Sequence, residues 1–585
     1  MKSSLASFLR ERPLGIACSI AVLFGSASNV ACTAVGSIGD TRAGASAGSG
    51  SKTGAGSGGT GGLQVISPAA PVTDWYDAFQ MTNCSAPSTA LPSSRIWRLS
   101  AAQWSNTVTA ALGIPAATST VFPEDQVDPV TGFSNDSTGD KVTLPLASAY
   151  FDATDAASAA AGPGAITAFA CLGTAPIATT CGSMFVSAYG QKLFRRALTP
   201  AEVTTFANYL NSESKLDPAP TAVASVIKAM LLSPNFIYRT ELGNSKPGPV
   251  DLTSDEIASL LSYTIADIPP DAQLQAAAAA GQLSAPAMRS MQAERLAALP
   301  SAKNKLAQFW NQYLALGNQP TSPGVDLSMY DEATTFFSQV VLKNNGTLKE
   351  LLTAPYTYGD ATIAAVYGSK PDATGKITLD PTQRAGFLTS AAMLVKTSAP
   401  SQAATVIHRG LLVRERVLCE TPPPPPPTVV PDPNQIQQGG PNATAKQNYS
   451  VFEITHQSCN ACHSFFQPLG LAFEAYDANG VFRTTYPAPI SMPIDTTGTL
   501  SSAGEANGAY TGVVDMATKL GAAPITQYCF AQQFAEFAFG RSVSPVQEAC
   551  TVKTMGGYVN AKGGQVQNLP ASFAAVPTVY RRFHQ

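Results

Sequence analysis

Charge is scarce in this chain. Asp, Glu, Lys and Arg make up 13% of its 585 residues, against about 25% in typical soluble domains. The net charge of −3 leaves no bulk basic field for a nucleic acid. The local signatures of several enzyme classes are also missing: no phosphate loop, nucleophile elbow, His-Glu-x-x-His pair or dinucleotide fingerprint occurs. Strand-like alternation is rare and no βα alternation appears, so the expected fold is mainly α, a multi-unit helical body. The apolar run Leu14 to Phe24 falls short of the ~20 residues that span a bilayer.

That run sits instead in a leader. Lys2, Arg10 and Arg12 precede or flank it, and small residues lead to Asn29-Val30-Ala31-Cys32, the architecture of a signal peptide over 1–32. The Ala-Cys ending is similar to a bacterial lipobox, with Asn29 where Leu is usual, and makes Cys32 a candidate lipidation site. Simple secretion and a retained anchor are the alternatives. Residues 33–62 are almost wholly Gly, Ser, Ala and Thr, a flexible tether. Localisation is therefore expected in the cell envelope, with membrane contact only through a lipid anchor. Abundant small residues and Pro suit an exported protein.

Once Cys18 and Cys32 are set aside, eight cysteines remain. Two lie in His456-Gln-Ser-Cys459-Asn-Ala-Cys462-His463. Cys-x-x-Cys-His is the attachment pattern of c-type haem: two thiols form thioethers and the adjacent His ligates iron. Cys459, Cys462 and His463 thus become the expected binding residues for one covalent haem c. A zinc site, which would need further ligands beyond the nearby His456, and a plain Cys459–Cys462 disulfide stay open. Met492 is a candidate sixth ligand beside His463; Met516 fits core packing at least as well. Arg483 could pair with a haem propionate or with Glu474 or Asp477. Arg195, Arg196 and Arg239 read as helix-surface or inter-unit ion pairs, His408 as a packed or exposed side chain, and His584 as solvated. No residue is assigned as catalytic.

The other six, Cys84, Cys171, Cys181, Cys419, Cys529 and Cys550, form an even set that suits three disulfides in an oxidising compartment. Sequence proximity favours Cys171 with Cys181, Cys529 with Cys550 and Cys84 with Cys419, one of 15 connectivities.

Helix signals divide the body into 63–165, 166–245, 246–380, 381–500 (the haem unit, with Pro422 to Pro427 as a polyproline spacer) and 501–585. Ser100 caps a helix from Ala101 to Leu112 that Gly113 stops. Thr199-Pro-Ala-Glu202 and Thr253-Ser-Asp-Glu256 are capping boxes.

Several landmarks recur in one order: Arg98-Leu99 with Trp104-Ser-Asn106-Thr107, Phe194-Arg195-Arg196-Ala197-Leu198-Thr199, and Leu231-Leu-Ser-Pro234-Asn-Phe-Ile-Tyr238-Arg239. They continue with Arg384-Ala-Gly386, Arg409-Gly410, Leu418-Cys419 before the prolines, the Cys459 to His463 motif with Asp477 and Arg483, Ile494-Asp495 with Gly498, and Gly540-Arg541. The pattern resembles a secreted multi-domain family of planctomycetes and myxobacteria, built from domains of unknown function and labelled planctomycete-type cytochromes. The resemblance implies a haem unit within a helical body. One departure concerns the site: the family usually has Asp-Pro after the motif, and this chain has Gln467-Pro468. The expected function is electron transfer with an unidentified redox partner protein. A haem enzyme with an open sixth site, acting on peroxide, oxygen or an extracellular compound, and a surface binding or scaffold protein are the alternatives.

Overall fold

Local rules set most helix boundaries. Ser100 accepts from the Gln103 N–H while the Gln103 side chain returns to the Ser100 N–H, and Gly113 adopts a left-handed conformation that ends Ala101–Leu112. Thr199 with Glu202 caps Pro200–Glu213, and Thr253 with Glu256 caps Ser254–Ala266 in the same reciprocal way. The computed structural model describes residues 75–84, 91–114, 122–135, 141–244, 246–316, 327–399, 402–422 and 439–584. The leader, Cys32, the tether and Pro423 to Pro427 lie outside them. The fold is mainly α with a few two-stranded sheets, as expected.

Two large hydrophobic clusters form the interior. The first gathers Leu99, Trp104, Tyr150, Phe185, Leu193, Val226, Leu231 and Phe236, most of them from helices Ala101–Leu112, Leu144–Ala168, Thr179–Phe194 and Ala219–Leu231. The second is centred on Phe309, Trp310, Phe387, Phe530, Phe534 and Phe537 and reaches Leu469 and Phe473. Helix Ser254–Ala266 joins them: Tyr263 packs into the first cluster and Leu260 and Leu261 into the second. Every residue from Glu256 to Ala266 is buried, as a helix between two cores requires.

Four-residue strands tie distant segments together. Arg95–Arg98 pairs antiparallel with Tyr238–Glu241, and Gly248–Asp251 with Arg581–His584. Glu241, 1% exposed, receives Arg95 at 2.8 Å and Arg582, with Arg239 at 3.8 Å. These guanidiniums hold its carboxyl far below the usual range despite burial. The Trp97 ring lies between Arg95 and Arg239, whose guanidinium carbons are 4.1 and 3.8 Å from its centroid. Arg239 is thus buried against an aromatic face, not on a helix surface. Arg195, also buried, donates to the carbonyls of Leu193, Asn235, Phe236 and Tyr238 rather than to an acid. Arg196 pairs with Glu202 as an ion pair at 2.8 Å. His584 lies in a paired strand, with its Nδ1 buried, and is not simply solvated.

The disulfides correct the expected pairing. Cys171–Cys181 forms as sequence proximity suggests, but the other two are Cys84–Cys550 and Cys419–Cys529, with Cα separations of 5.3 Å each. Cys529 and Cys550 lie on successive helices, Pro524–Phe539 and Ala549–Ala561. Their partners are Cys84, near the start of the described residues, and Cys419, 110 residues before Cys529. The Trp75–Met81 segment runs against Phe79's neighbour Tyr528, and the Leu412–Val417 π-helical turn delivers Cys419 beside the Cys529 carbonyl.

Candidate functional site

The motif occupies the start of helix Gln457–Leu471. Positions 459, 462 and 463 are three and four apart, spacings that share one helix face. Helix Gln402–Leu411 crosses behind it, with backbone touching backbone at two glycines. A Cβ on Gly410 would stand 2.0 Å from the Phe466 carbonyl oxygen, and one on Gly470 would stand 1.8 Å from that of Val406. Only glycine permits this approach.

Three buried arginines then grip the main chain from the motif helix to its exit turn. Arg414 donates to the Phe465 carbonyl at 2.6 Å and pairs with Glu420 at 2.7 Å. Arg409 donates to the carbonyls of Phe473, Tyr476 and Asp477, each at 3.0 Å. Arg384 reaches the Gly480 carbonyl at 2.7 Å from between the rings of Tyr367 and Tyr476. Fixed guanidinium forks suit such multiple donation. The landmark arginines and glycines therefore act as scaffold for the motif helix, and Asp477 caps its own turn through the N–H groups of Asn479 and Val481.

His463 lies among aromatic rings: Phe452 at 4.9 Å, Phe466 at 5.2 Å and Tyr449 at 6.5 Å between centroids. Burial lowers its pKa, keeping it neutral near pH 7, the state that ligates metals. Its Nδ1 is buried with no hydrogen-bond partner. His456 stacks on the other side of Phe452 at 4.9 Å, with its Nδ1 2.8 Å from the Thr455 hydroxyl. Cys462 is half-buried, and the Cys459 side chain lies outside the described set. Among the described residues, no three His, Cys, Asp or Glu side chains converge as a metal-binding group.

The remaining expectations separate. Arg483 is engaged with Glu474, through Nε to its carbonyl at 3.1 Å and through the side chains at 3.9 Å, which is the salt-bridge alternative. Glu474, 2% exposed, also accepts from the Tyr486 hydroxyl. Met492 is 40% exposed on a loop held by the Tyr486 N–H donating to its carbonyl. Met516 is fully buried in the second cluster, as core packing requires. His408 is exposed on helix Gln402–Leu411. A cavity of about 340 Å³ is lined by Leu348, Lys349, Gln527, Phe530, Asn560 and neighbours, none of them from the motif.

A covalent haem fits what is present: a neutral imidazole directly after Cys462, an aromatic shell around it and a rigidly braced helix. When bound, the haem would supply a one-electron couple; His463 would hold its iron and Cys459 and Cys462 its porphyrin. No curated protein and no solved structure matches the chain. Four family models match it in succession, each described as a protein of unknown function: PSD3 (DUF1587) over 97–162, PSD5 (DUF1595) over 181–241, PSD4 (DUF1592) over 252–369 and PSCyt3 (DUF1588) over 384–486. The last contains the motif helix, its bracing arginines and the Glu474–Arg483 pair. Four matches in this order support the planctomycete cytochrome-type family for this chain.

Proposed function

We propose that the chain is an exported, lipid-tethered monohaem c-type cytochrome that passes electrons to or from a partner protein in the cell envelope. The observation that carries this is His463: an aromatic-packed imidazole whose pKa burial lowers and that follows Cys462 on a helix held by Arg414, with the exit turn held by Arg409 and Arg384. Three disulfides agree with the oxidising compartment in which thioethers form. Among the described residues, no helix is long and apolar enough to cross a membrane; the proposed tether is a lipid on Cys32. The helical body supplies a rigid mount and docking surface for the partner.

A second reading, a haem enzyme with an open sixth position, draws on the 40% exposure of Met492. Full-length protein produced with haem-maturation machinery tests both. Haem absorbance that survives denaturation and is lost in Cys459→Ser with Cys462→Ser supports covalent attachment; its absence in the parent chain refutes both readings. A low-spin ferric spectrum that changes in Met492→Ala supports electron transfer, and a high-spin, peroxide-reactive one supports the enzyme.

A further inference from the structure

Three orphaned polar atoms lie on this one helix, and two of them belong to residues one turn apart. The Nδ1 of His463 and the Oε1 of Gln467 are both buried without hydrogen-bond partners. They belong to residues four apart in Gln457–Leu471, which are neighbours on a helix face. Long helical side chains lean back over the preceding turn, so Gln467 leans over His463. A third residue fixes its orientation. The Gln467 Nε2 donates to the Glu453 carboxylate at 3.3 Å, and an ionised carboxylate only accepts. The amide must therefore turn its NH₂ to Glu453, which leaves its oxygen as an acceptor. Glu453 adjoins Phe452, the ring that packs on His463, so both contacts meet the same turn of helix Ala445–Thr455.

We propose that Gln467, oriented by Glu453, is the positioning residue of His463: its amide oxygen accepts from Nδ1–H through one bridging water and holds the tautomer that leaves Nε2 free to ligate a metal. This rests on the reading of His463 as the iron ligand. A ligating His ordinarily donates its other N–H to an acceptor that fixes ring and tautomer, and an unpaired buried donor would be destabilising. Asn460, whose Oδ1 is also buried and unpartnered, is the rival acceptor. A neutral amide polarises the imidazole less than a carboxylate does, so it favours the ferrous state.

The test begins on the full chain without haem, labelled with ¹⁵N-histidine; the four histidines are assigned by substituting each in turn. At a pH where His463 is neutral, the parent chain should show its Nδ1–H tautomer. Gln467→Leu should shift it towards Nε2–H, and Gln467→Glu should retain it. An unchanged tautomer in Gln467→Leu, or a shift in Asn460→Ala instead, overturns the proposal. With haem attached, Gln467→Glu should raise the oxidised-to-reduced ratio at fixed ambient potential about tenfold, 59 mV for one electron, with haem content unchanged. An unchanged potential also overturns it. If the parent chain takes up no covalent haem, the cytochrome reading fails while the tautomer result still decides the role of Gln467.

Discussion

Replacing Gly410 by Ala places a methyl group against the motif helix where no room exists. Its Cβ would lie 2.0 Å from the Phe466 carbonyl oxygen and 3.2 Å from the Gly470 nitrogen, whereas ordinary contacts begin at 3.4 Å. Both obstacles are backbone, so no side chain can rotate away. The helices must part by more than an ångström, stretching the Arg409 bonds to Phe473 and Tyr476 and the 2.6 Å bond from Arg414 to Phe465. Overpacking of this kind costs about 1–3 kcal/mol or more, against a gain of about 1 kcal/mol in helix propensity for Gly→Ala. The net effect should be destabilising. Gly557 supplies the contrast: it lies exposed within helix Ala549–Ala561, and a Cβ there meets nothing within 4 Å. Gly557→Ala should stabilise by up to about 1 kcal/mol. Urea unfolding of the three proteins, followed by circular dichroism, measures the order of midpoints. Gly410→Ala with a midpoint at or above the parent would refute the close-crossing argument, since the same substitution would then have the same sign in both settings.

Two further perturbations test the body. Burial raises the Glu536 carboxyl from 4.5 to about 7, while the Val543 N–H bond opposes the shift. The native chain therefore binds a proton more tightly than the unfolded one, so stability present below about pH 4.5 is lost as pH rises through about 7. Glu536→Gln should remove this dependence, worth roughly 3 kcal/mol, and be more stable than the parent at pH 8. Equal slopes of stability against pH would contradict it. Non-reducing peptide mapping should link the Cys84 peptide to the Cys550 peptide and the Cys419 peptide to the Cys529 peptide; a Cys529–Cys550 peptide would refute the pairing. Cys419→Ala with Cys529→Ala, which opens a loop of 110 residues, should cost up to about 5 kcal/mol.

What the sequence makes legible follows the range of the forces involved. Helix starts at Ser100, Thr199 and Thr253 are readable because a capping box is complete within four residues. The strands Arg95–Arg98 and Arg581–His584 are not. Each is four residues long, too short for an alternating pattern, and its partner lies 140 or more positions away by register, from Arg98 opposite Tyr238 at 140 to Arg95 opposite Glu241 at 146 in the first pair. The same distance problem misleads the disulfide pairing: closeness in sequence identifies Cys171–Cys181, ten residues apart, and says nothing about Cys84 and Cys550, which are 466 apart.

At the site, residue types announce the cofactor chemistry but not its support. Cys459, Cys462 and His463 form a contiguous pattern, so the candidate haem motif is visible without a structure. Arg384, Arg409 and Arg414 look like charged groups that ought to meet acids or substrate, yet two of them, Arg384 and Arg409, spend their donors chiefly on carbonyls. Main-chain acceptors carry no residue signature, so such bonds are unreadable until the chain is folded. Arg483 follows the converse logic: its acidic neighbour Glu474 is close in sequence, and the salt bridge is an open alternative from the start. Gln467 is the sharpest case. Nothing near it in sequence orients its amide; Glu453, from a different helix, takes the Nε2 end and leaves the oxygen as an acceptor. On the proposed reading, the motif supplies the candidate ligand and the packing of a second helix sets its tautomer.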